Sequence, residues 1–384
     1  MRTVYLDNNA TTQVAPEVID AMLPFLRDLW GNPSSMHAFG GQVKQSVERA
    51  RAQVAALLQA DPSEIVFTSC GTESDNMAIR GSIEASAPGT CLVTSRVEHP
   101  AVMGPCHRLR DLGHPLVEIA VDSGGRLNME ELEAALQRGP SLVSLMWANN
   151  ETGVVFPIDT IAGMVKGKGG ILHTDAVQYA GKFPIDLRQV PVDLLSISGH
   201  KLHAPKGIGA LYIRRGTKLQ PFMIGGHQEN SRRGGTENVP SIVGFGKACE
   251  MAMNAMSDEA TRVAALRDRL ERELLKTCPD TQVNGDPAHR LPNTTNISFQ
   301  YVEGEAILYH LSDLGVAASS GSACTSGSLE PSHVIRAMGV PFTAAHGSIR
   351  FSLSRYNTDA DVDHVLTHLP GIIRKLRTLS PFVT

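Results

Sequence analysis

The sequence predicts an α/β protein: a large domain built on a mainly parallel seven-stranded sheet covered by helices, with a smaller α+β domain beside it. Three observations carry that prediction. Short β-rich runs alternate with helical patterns, the order that a parallel sheet with crossover helices requires. Most of those runs are continuously apolar, as strands buried on both faces are. The chain has 384 residues, more than the ~250–300 at which a single hydrophobic core stops growing.

In chain order the strands are "EIVFTS" (64–69), "CLVTS" (91–95), "PLVEIAV" (115–121), "SLVSLMW" (141–147), "GILHTD" (170–175) and "DLLSIS" (193–198). The seventh, "GIGALYIRR" (207–215), follows with too little chain for a crossover helix, so it is expected to run antiparallel. Among the helical patterns between them, "NMEELEAALQ" (128–137) has Asn128 placed to cap it. From 240 to 277 a long helical stretch leads into the smaller domain. There a strand "TTNISF" (294–299), helices at 303–315 and 331–339, a strand "SIRFSLS" (348–354) and a terminal helix follow. Thr358 with Asp361 forms a capping box for that helix, and Pro370 is expected to kink it. The large domain is read as 16–250, and the smaller one as 1–15 with 251–384.

Apolar residues make up 42% and charged residues 19%, with a net charge of −4, the balance of an ordinary globular protein. No run of Lys or Arg exceeds two, which speaks against nucleic acid or an anionic membrane as partner. No apolar segment is long enough to span a bilayer, and the opening "MRTVYLDNNATT" lacks the regions of a signal peptide. The expectation is a cytoplasmic protein. The six cysteines, at 70, 91, 106, 249, 278 and 324, contain no CxxC pair and suggest neither a disulfide framework nor a zinc site. Five are expected to be small core hydrophobes. Cys324 is different: it sits in "SSGSACTSGS" (319–328), among nothing but Ser, Gly, Ala and Thr, as a thiol on display.

Three further segments carry chemistry. In "TSCGTESDN" (68–76) a strand ends at a Gly71 turn, and Thr72-x-x-Asp75 reads as a capping box opening a helix. Such a turn offers backbone N–H groups and a positive dipole end to a phosphate, although capping boxes by themselves are common. In "SISGHKLHAPKG" (196–207) Lys201 directly follows an apolar strand, flanked by Ser198 and His200. A lysine in a loop is ordinarily just solvated, but a Schiff-base enzyme needs an amine held at such a place. In "HTDAVQ" (173–178) Asp175 ends an apolar strand, where α/β proteins place ligands, and a buried carboxylate there requires a partner such as a protonated ring nitrogen.

Taken together, and with "YLDNNATT" (5–12), "GNPSS" (31–35), "EHPAV" (98–102), "ANNETG" (148–153), "GTEN" (235–238) and "SSGSACTSGSLEPSH" (319–333), the chain resembles the fold-type I pyridoxal-phosphate enzymes of the class-V aminotransferase kind. Within them it resembles the cysteine desulfurases, most of all the nitrogen-fixation (NifS) type with a long catalytic loop. The resemblance implies that pyridoxal 5′-phosphate forms a Schiff base with Lys201. Asp175 would pair with the ring nitrogen, Gln178 would hydrogen-bond the phenolic oxygen, and Asn150 would lie near that oxygen and bind the substrate. His99 would stack on the ring and carry protons. Gly71, Thr72, Ser198 and His200 would hold the phosphate, completed by Thr236 of a partner subunit in a homodimer. Arg350 would grip the carboxylate of L-cysteine, with Arg355 the competing candidate. Cys324 would take the sulfur as a persulfide, releasing alanine, and pass it to an iron–sulfur cluster scaffold protein. A selenocysteine lyase or another C–S lyase on the same fold is the alternative; neither needs a displayed thiol. A non-catalytic sulfur carrier would leave Lys201, Asp175 and the phosphate turn unexplained.

Overall fold

The computed structural model describes residues 3–320 and 331–380. A short strand β1 (Val4–Tyr5) precedes the seven strands of the large sheet: β2 (Ile65–Thr68), β3 (Cys91–Ser95), β4 (Leu116–Ile119), β5 (Ser141–Met146), β6 (Ile171–Asp175), β7 (Leu194–Ser198) and β8 (Gly209–Ile213). Their spatial order is β2-β8-β7-β6-β5-β3-β4. β8 runs antiparallel to both of its neighbours and all the other pairings are parallel. The tight connection after Ser198 thus gives the reversed strand expected from its length.

Both faces of the sheet are buried, which explains the unbroken apolar runs. Val93, Val143, Leu172 and Leu195 face the main core, together with Val18, Val47, Val54 and Phe245 from the helices. Their sequence neighbours Leu92, Leu142 and Leu194 face the other way, against Ile79, Val102 and Cys106 or against Met77 and Leu211. A separate cluster holds Leu6, Leu270, Ile297, Ile307, Phe351 and Val365. It is built around a three-stranded antiparallel sheet in the order β12-β10-β9, from β9 (Thr281–Val283), β10 (Thr294–Phe299) and β12 (Ser348–Ser352). β1 pairs in parallel with β11 (Val316–Ala317).

The long helical stretch passes from one core to the other. Helix Val239–Asp258 buries Phe245 and Ala252 in the first, and helix Ala264–Thr277 buries Leu270 and Leu274 in the second. Between them Glu259–Val263 forms a wider π turn, the kind of local unwinding that accommodates a misfit in helix register. Glu259 is buried there and takes the Lys182 Nζ at 3.2 Å.

Asn128 caps its helix through the Glu131 N–H at 3.0 Å, and Asp361 accepts from the Thr358 N–H at 2.9 Å as the box predicts. The terminal helix Asp359–Thr378 runs on through Pro370 as one element. The box expected at Thr72 and Asp75 does not form. The helix there is Gly71–Glu84, capped by the extended Cys70 with no side-chain bond, so Thr72 already lies inside it and Asp75 is buried in its second turn. Glu73 reaches back instead, accepting from the Ser69 N–H at 2.8 Å.

Candidate active site

A cavity of about 330 Å³ opens at the carboxyl ends of β5, β6 and β7, where an open parallel sheet binds ligands. Met146, Asp175 and Ser198, the last residues of those strands, line it. Lys201 enters from the 3-10 turn Gly199–Lys201 that follows β7. The far wall comes from the second core: Asn9 and Ala10 beyond β1, and Arg350 on β12. Gly71, Thr72, His99, Asn150, Gln178 and His200 complete the lining, so ten of the residues singled out in the sequence meet in this one cavity. Thr236 is exposed and lies outside it. Cys324 lies outside the described residues.

One end of the cavity suits an anion. The N-terminus of helix Gly71–Glu84 has no side-chain cap, so its dipole and first N–H groups are available. Ser198 Oγ is buried and has no hydrogen-bond partner among the described residues, an expensive state that a ligand oxygen would relieve. Small residues make the geometry possible: a Cβ on Gly71 would meet Val177 Cγ2 at 3.0 Å and Ser198 Cβ at 3.3 Å. A Cβ on Gly209 would lie 2.8 Å from the Cys70 carbonyl carbon. β8 therefore presses against the turn because residue 209 lacks a side chain.

At the centre, the Lys201 Nζ donates to the Asn9 carbonyl and to the Ala10 carbonyl at 2.8 Å, and Gln178 Nε2 donates to the same Asn9 oxygen at 3.0 Å. The Asp175 carboxylate accepts from the Val177 N–H at 2.9 Å. Burial pushes Asp175 up to about 6, against the opposing pull of that N–H and of the Lys201 charge. A buried carboxylate beside an amine, with one oxygen held and its ionised form destabilised by burial, suits a cationic ring nitrogen. Behind it stands a second buried acid, Asp75, raised well above the carboxylate range by burial and then by the Asp175 charge. Asp75 lies 3.5 Å from His173 Nε2, and the His173 ring also meets Ser144 at 2.8 Å and Ser196 at 3.0 Å. His99 accepts the Ala101 N–H at Nδ1, at 3.1 Å, so its neutral ring carries the proton on Nε2. Burial, with help from the Lys201 and His333 charges, pulls His99 down to about 4.

Arg350 is 4% exposed. Its Nη2 meets Asp7 Oδ1 at 2.7 Å and its Nη1 donates to the Asn150 carbonyl at 2.9 Å, while Nε has no partner among the described residues. Arg355 is elsewhere: its guanidinium lies 5.5 Å over the Tyr356 ring and it does not line the cavity. The chain on both sides of 321–330 is tied to this site. Ser319 and Arg350 exchange backbone bonds at 2.7 and 3.2 Å. Past the segment, Ser332 Oγ donates to Glu151 at 2.5 Å and His333 Nε2 bonds the Glu98 carbonyl at 2.9 Å, one residue from His99.

Sequence reasoning passed over Asp7, Asn9 and Cys70 as site residues and took Asp75 only for half of a capping box. Asp7 and Asn9 stand in "YLDNNATT", where polar residues directly after an apolar strand were the available signal. Cys70, expected in the core, is partly exposed and lines the cavity; its place beside Gly71 at a strand end could have shown this.

The aminotransferase class-V family model matches residues 4–365. The cysteine desulfurase of a Nostoc species is 57% identical over 382 residues, covering 100% of this chain and 96% of that protein. The cysteine desulfurase NifS of Azotobacter vinelandii is 54% identical over 383 residues, covering 100% and 95%. Among solved structures, a NifS-like protein superposes with a TM-score of 0.91 at 38% identity, over 98% of this chain and 100% of that one. The chain belongs to the class-V aminotransferase family and, within it, to the NifS-type cysteine desulfurases.

Proposed function

We propose that this protein removes sulfur from L-cysteine with pyridoxal 5′-phosphate, giving L-alanine and a persulfide on Cys324. The observation that carries the reading is a single cavity holding an amine, a buried carboxylate, an anion-binding turn and a buried guanidinium. The residues fit the cofactor: the unpartnered Ser198 Oγ and the uncapped helix meet a phosphate, Asp175 a ring nitrogen, and Lys201 the aldehyde. When bound, pyridoxal 5′-phosphate supplies an electron sink that labilises bonds at the substrate α-carbon.

The chain's own residues do the rest. Arg350 binds the substrate carboxylate through its fork, with Asp7 and the Asn150 carbonyl fixing the plane of the guanidinium. Lys201 takes the α-proton and returns a proton to carbon. His99, a neutral ring with a pKa pulled down to about 4, is a weak base, so proton transfer rests on Lys201 and His99 offers Nε2–H as a donor. The Cys324 sulfur bonds to the substrate sulfur as the Cβ–S bond breaks. The electron pair stays on carbon, a proton closes the alanine methyl, and Cys324 is left as the persulfide. Cys324 is four residues beyond Ser320, a contour of at most about 14 Å from chain anchored beside Arg350. We infer further that the large unit is 16–250 and the smaller one 1–15 with 251–384, and that a second copy brings Thr236 to the phosphate. The persulfide then passes in the cytoplasm to an iron–sulfur scaffold protein. A role in nitrogenase maturation is supported by likeness to the Azotobacter NifS.

The test is the absorbance of the purified protein with pyridoxal 5′-phosphate. The Schiff-base band is expected in the wild type and lost in Lys201→Ala. A band of equal strength in the variant would remove Lys201 from its role.

A further inference from the structure

β2 is an edge strand, paired only with β8. Three backbone groups along its open side and the turn that follows are taken by side chains rather than by another strand. The Ile65 carbonyl accepts from Arg51 Nη1 at 3.0 Å, the Phe67 N–H donates to Glu229 Oε2 at 2.8 Å, and the Ser69 N–H donates to Glu73 Oε2 at 2.8 Å. Two cations close the ladder. Arg51 pairs with both Glu229 oxygens at 2.7 and 2.8 Å, and Arg233 pairs with both Glu73 oxygens at 2.8 and 3.2 Å. Charged side chains on an edge protect it from stray pairing. Here the last rung also falls on the turn that carries the phosphate site.

The segment supplying Glu229 and Arg233 is held in an unusual backbone. Glu229, Asn230 and Ser231 have φ of 48°, 56° and 63°, three successive left-handed residues, none of them glycine. Each such residue costs on the order of 1–2 kcal/mol in a regular left-handed turn, so the buried Arg51–Glu229 pair has a conformation to maintain. The result is that Arg233 is delivered against Glu73.

Glu73 lies in the first turn of helix Gly71–Glu84 and is 8% exposed. Burial by itself would raise its pKa; Arg233 and Ser69 outweigh burial and leave it below the usual carboxylate range. A carboxylate at that place aims the Ser69 N–H and so fixes the turn. Uncompensated, it would also repel any phosphate bound at the same helix end.

We propose that Arg233 is a positioning residue for the phosphate-binding turn: its bidentate pair cancels the Glu73 charge beside the ligand's phosphate while a Glu73 oxygen stays on the Ser69 N–H. This rests on the reading of pyridoxal 5′-phosphate as the ligand of that turn. The experiment compares equilibrium binding of pyridoxal 5′-phosphate and of pyridoxal, which lacks the phosphate, by the apo form of the full-length protein. Arg233→Met is expected to weaken pyridoxal 5′-phosphate about five- to tenfold, in the range of charge effects at a helix terminus, and to leave pyridoxal within about twofold. Glu73→Gln, which keeps an oxygen for the Ser69 N–H, is expected to bind pyridoxal 5′-phosphate no more weakly than wild type, and to recover most of the loss when added to Arg233→Met. An equal loss for both ligands in Arg233→Met, or weakened phosphate binding in Glu73→Gln, overturns the proposal. A wild type that binds the two ligands alike overturns the cofactor reading beneath it.

Discussion

Glu98, directly before the cavity-lining His99, is fully buried. Its Oε1 accepts from the Ser95 hydroxyl at 2.6 Å and its two oxygens take the Met146 N–H at 3.1 and 2.9 Å, joining the ends of β3 and β5. Burial, with a further push from Asp175, raises its pKa from 4.5 to about 8, against the pull of those hydrogen bonds. The sign follows from linkage. The folded protein keeps a proton that the unfolded chain has lost at every pH between those two values. Stability is therefore greatest below pH 4.5 and falls as the pH rises to about 8. One pKa unit corresponds to about 1.4 kcal/mol, so from about pH 6 to about pH 9 the wild type should lose about 3 kcal/mol through this group. Glu98→Gln reproduces the protonated form: its oxygen takes the Met146 N–H and its amide donates to Ser95. Urea unfolding of wild type and variant at both pH values is the assay, with the difference between the two cancelling every other titration. We expect the variant to gain about 3 kcal/mol on the wild type across that span. Parallel pH dependence in the two proteins would mean that Glu98 folds as an ion and that the argument from its burial is wrong.

Two further outcomes are expected. Arg350→Lys keeps the charge but loses the fork that matches a carboxylate; KM for L-cysteine should rise about 10- to 100-fold with a smaller change in kcat, and a fall in kcat alone would place Arg350 outside substrate binding. Gly209→Ala sets a Cβ 2.8 Å from the Cys70 carbonyl carbon and 2.9 Å from the Ile197 carbonyl oxygen, both backbone. It should destabilise the protein by about 1–3 kcal/mol and weaken cofactor binding; an unchanged thermal midpoint would show that β8 does not bear on the turn.

The large sheet was legible because burial on both faces writes itself as apolar runs. The reversed β8 was legible because chain length forbids a crossover. The lining of the cavity was legible because strand ends and tight turns place Asp175, Ser198, Lys201 and Gly71 by local geometry. What could not be read were partnerships between residues far apart in the chain. Thr72 and Asp75 have the spacing of a capping box, yet Cys70 is the cap and Asp75 is drawn into a buried network with His173. Glu73 takes its meaning from Arg233, and Arg350 from Asp7; neither pairing leaves a periodic trace in the sequence. The π turn at Glu259–Val263 is likewise hidden inside an unbroken helical pattern.

The central claim is that Cys324, not the cavity alone, accepts the sulfur. The measurement that tests it most directly is alanine formed from L-cysteine, with a reductant present, by wild type and by Cys324→Ala. The account predicts steady alanine formation by the wild type and almost none by the variant, with the Schiff-base band intact in both. Equal alanine from the two proteins would contradict it and make the enzyme a C–S lyase with no need of that thiol.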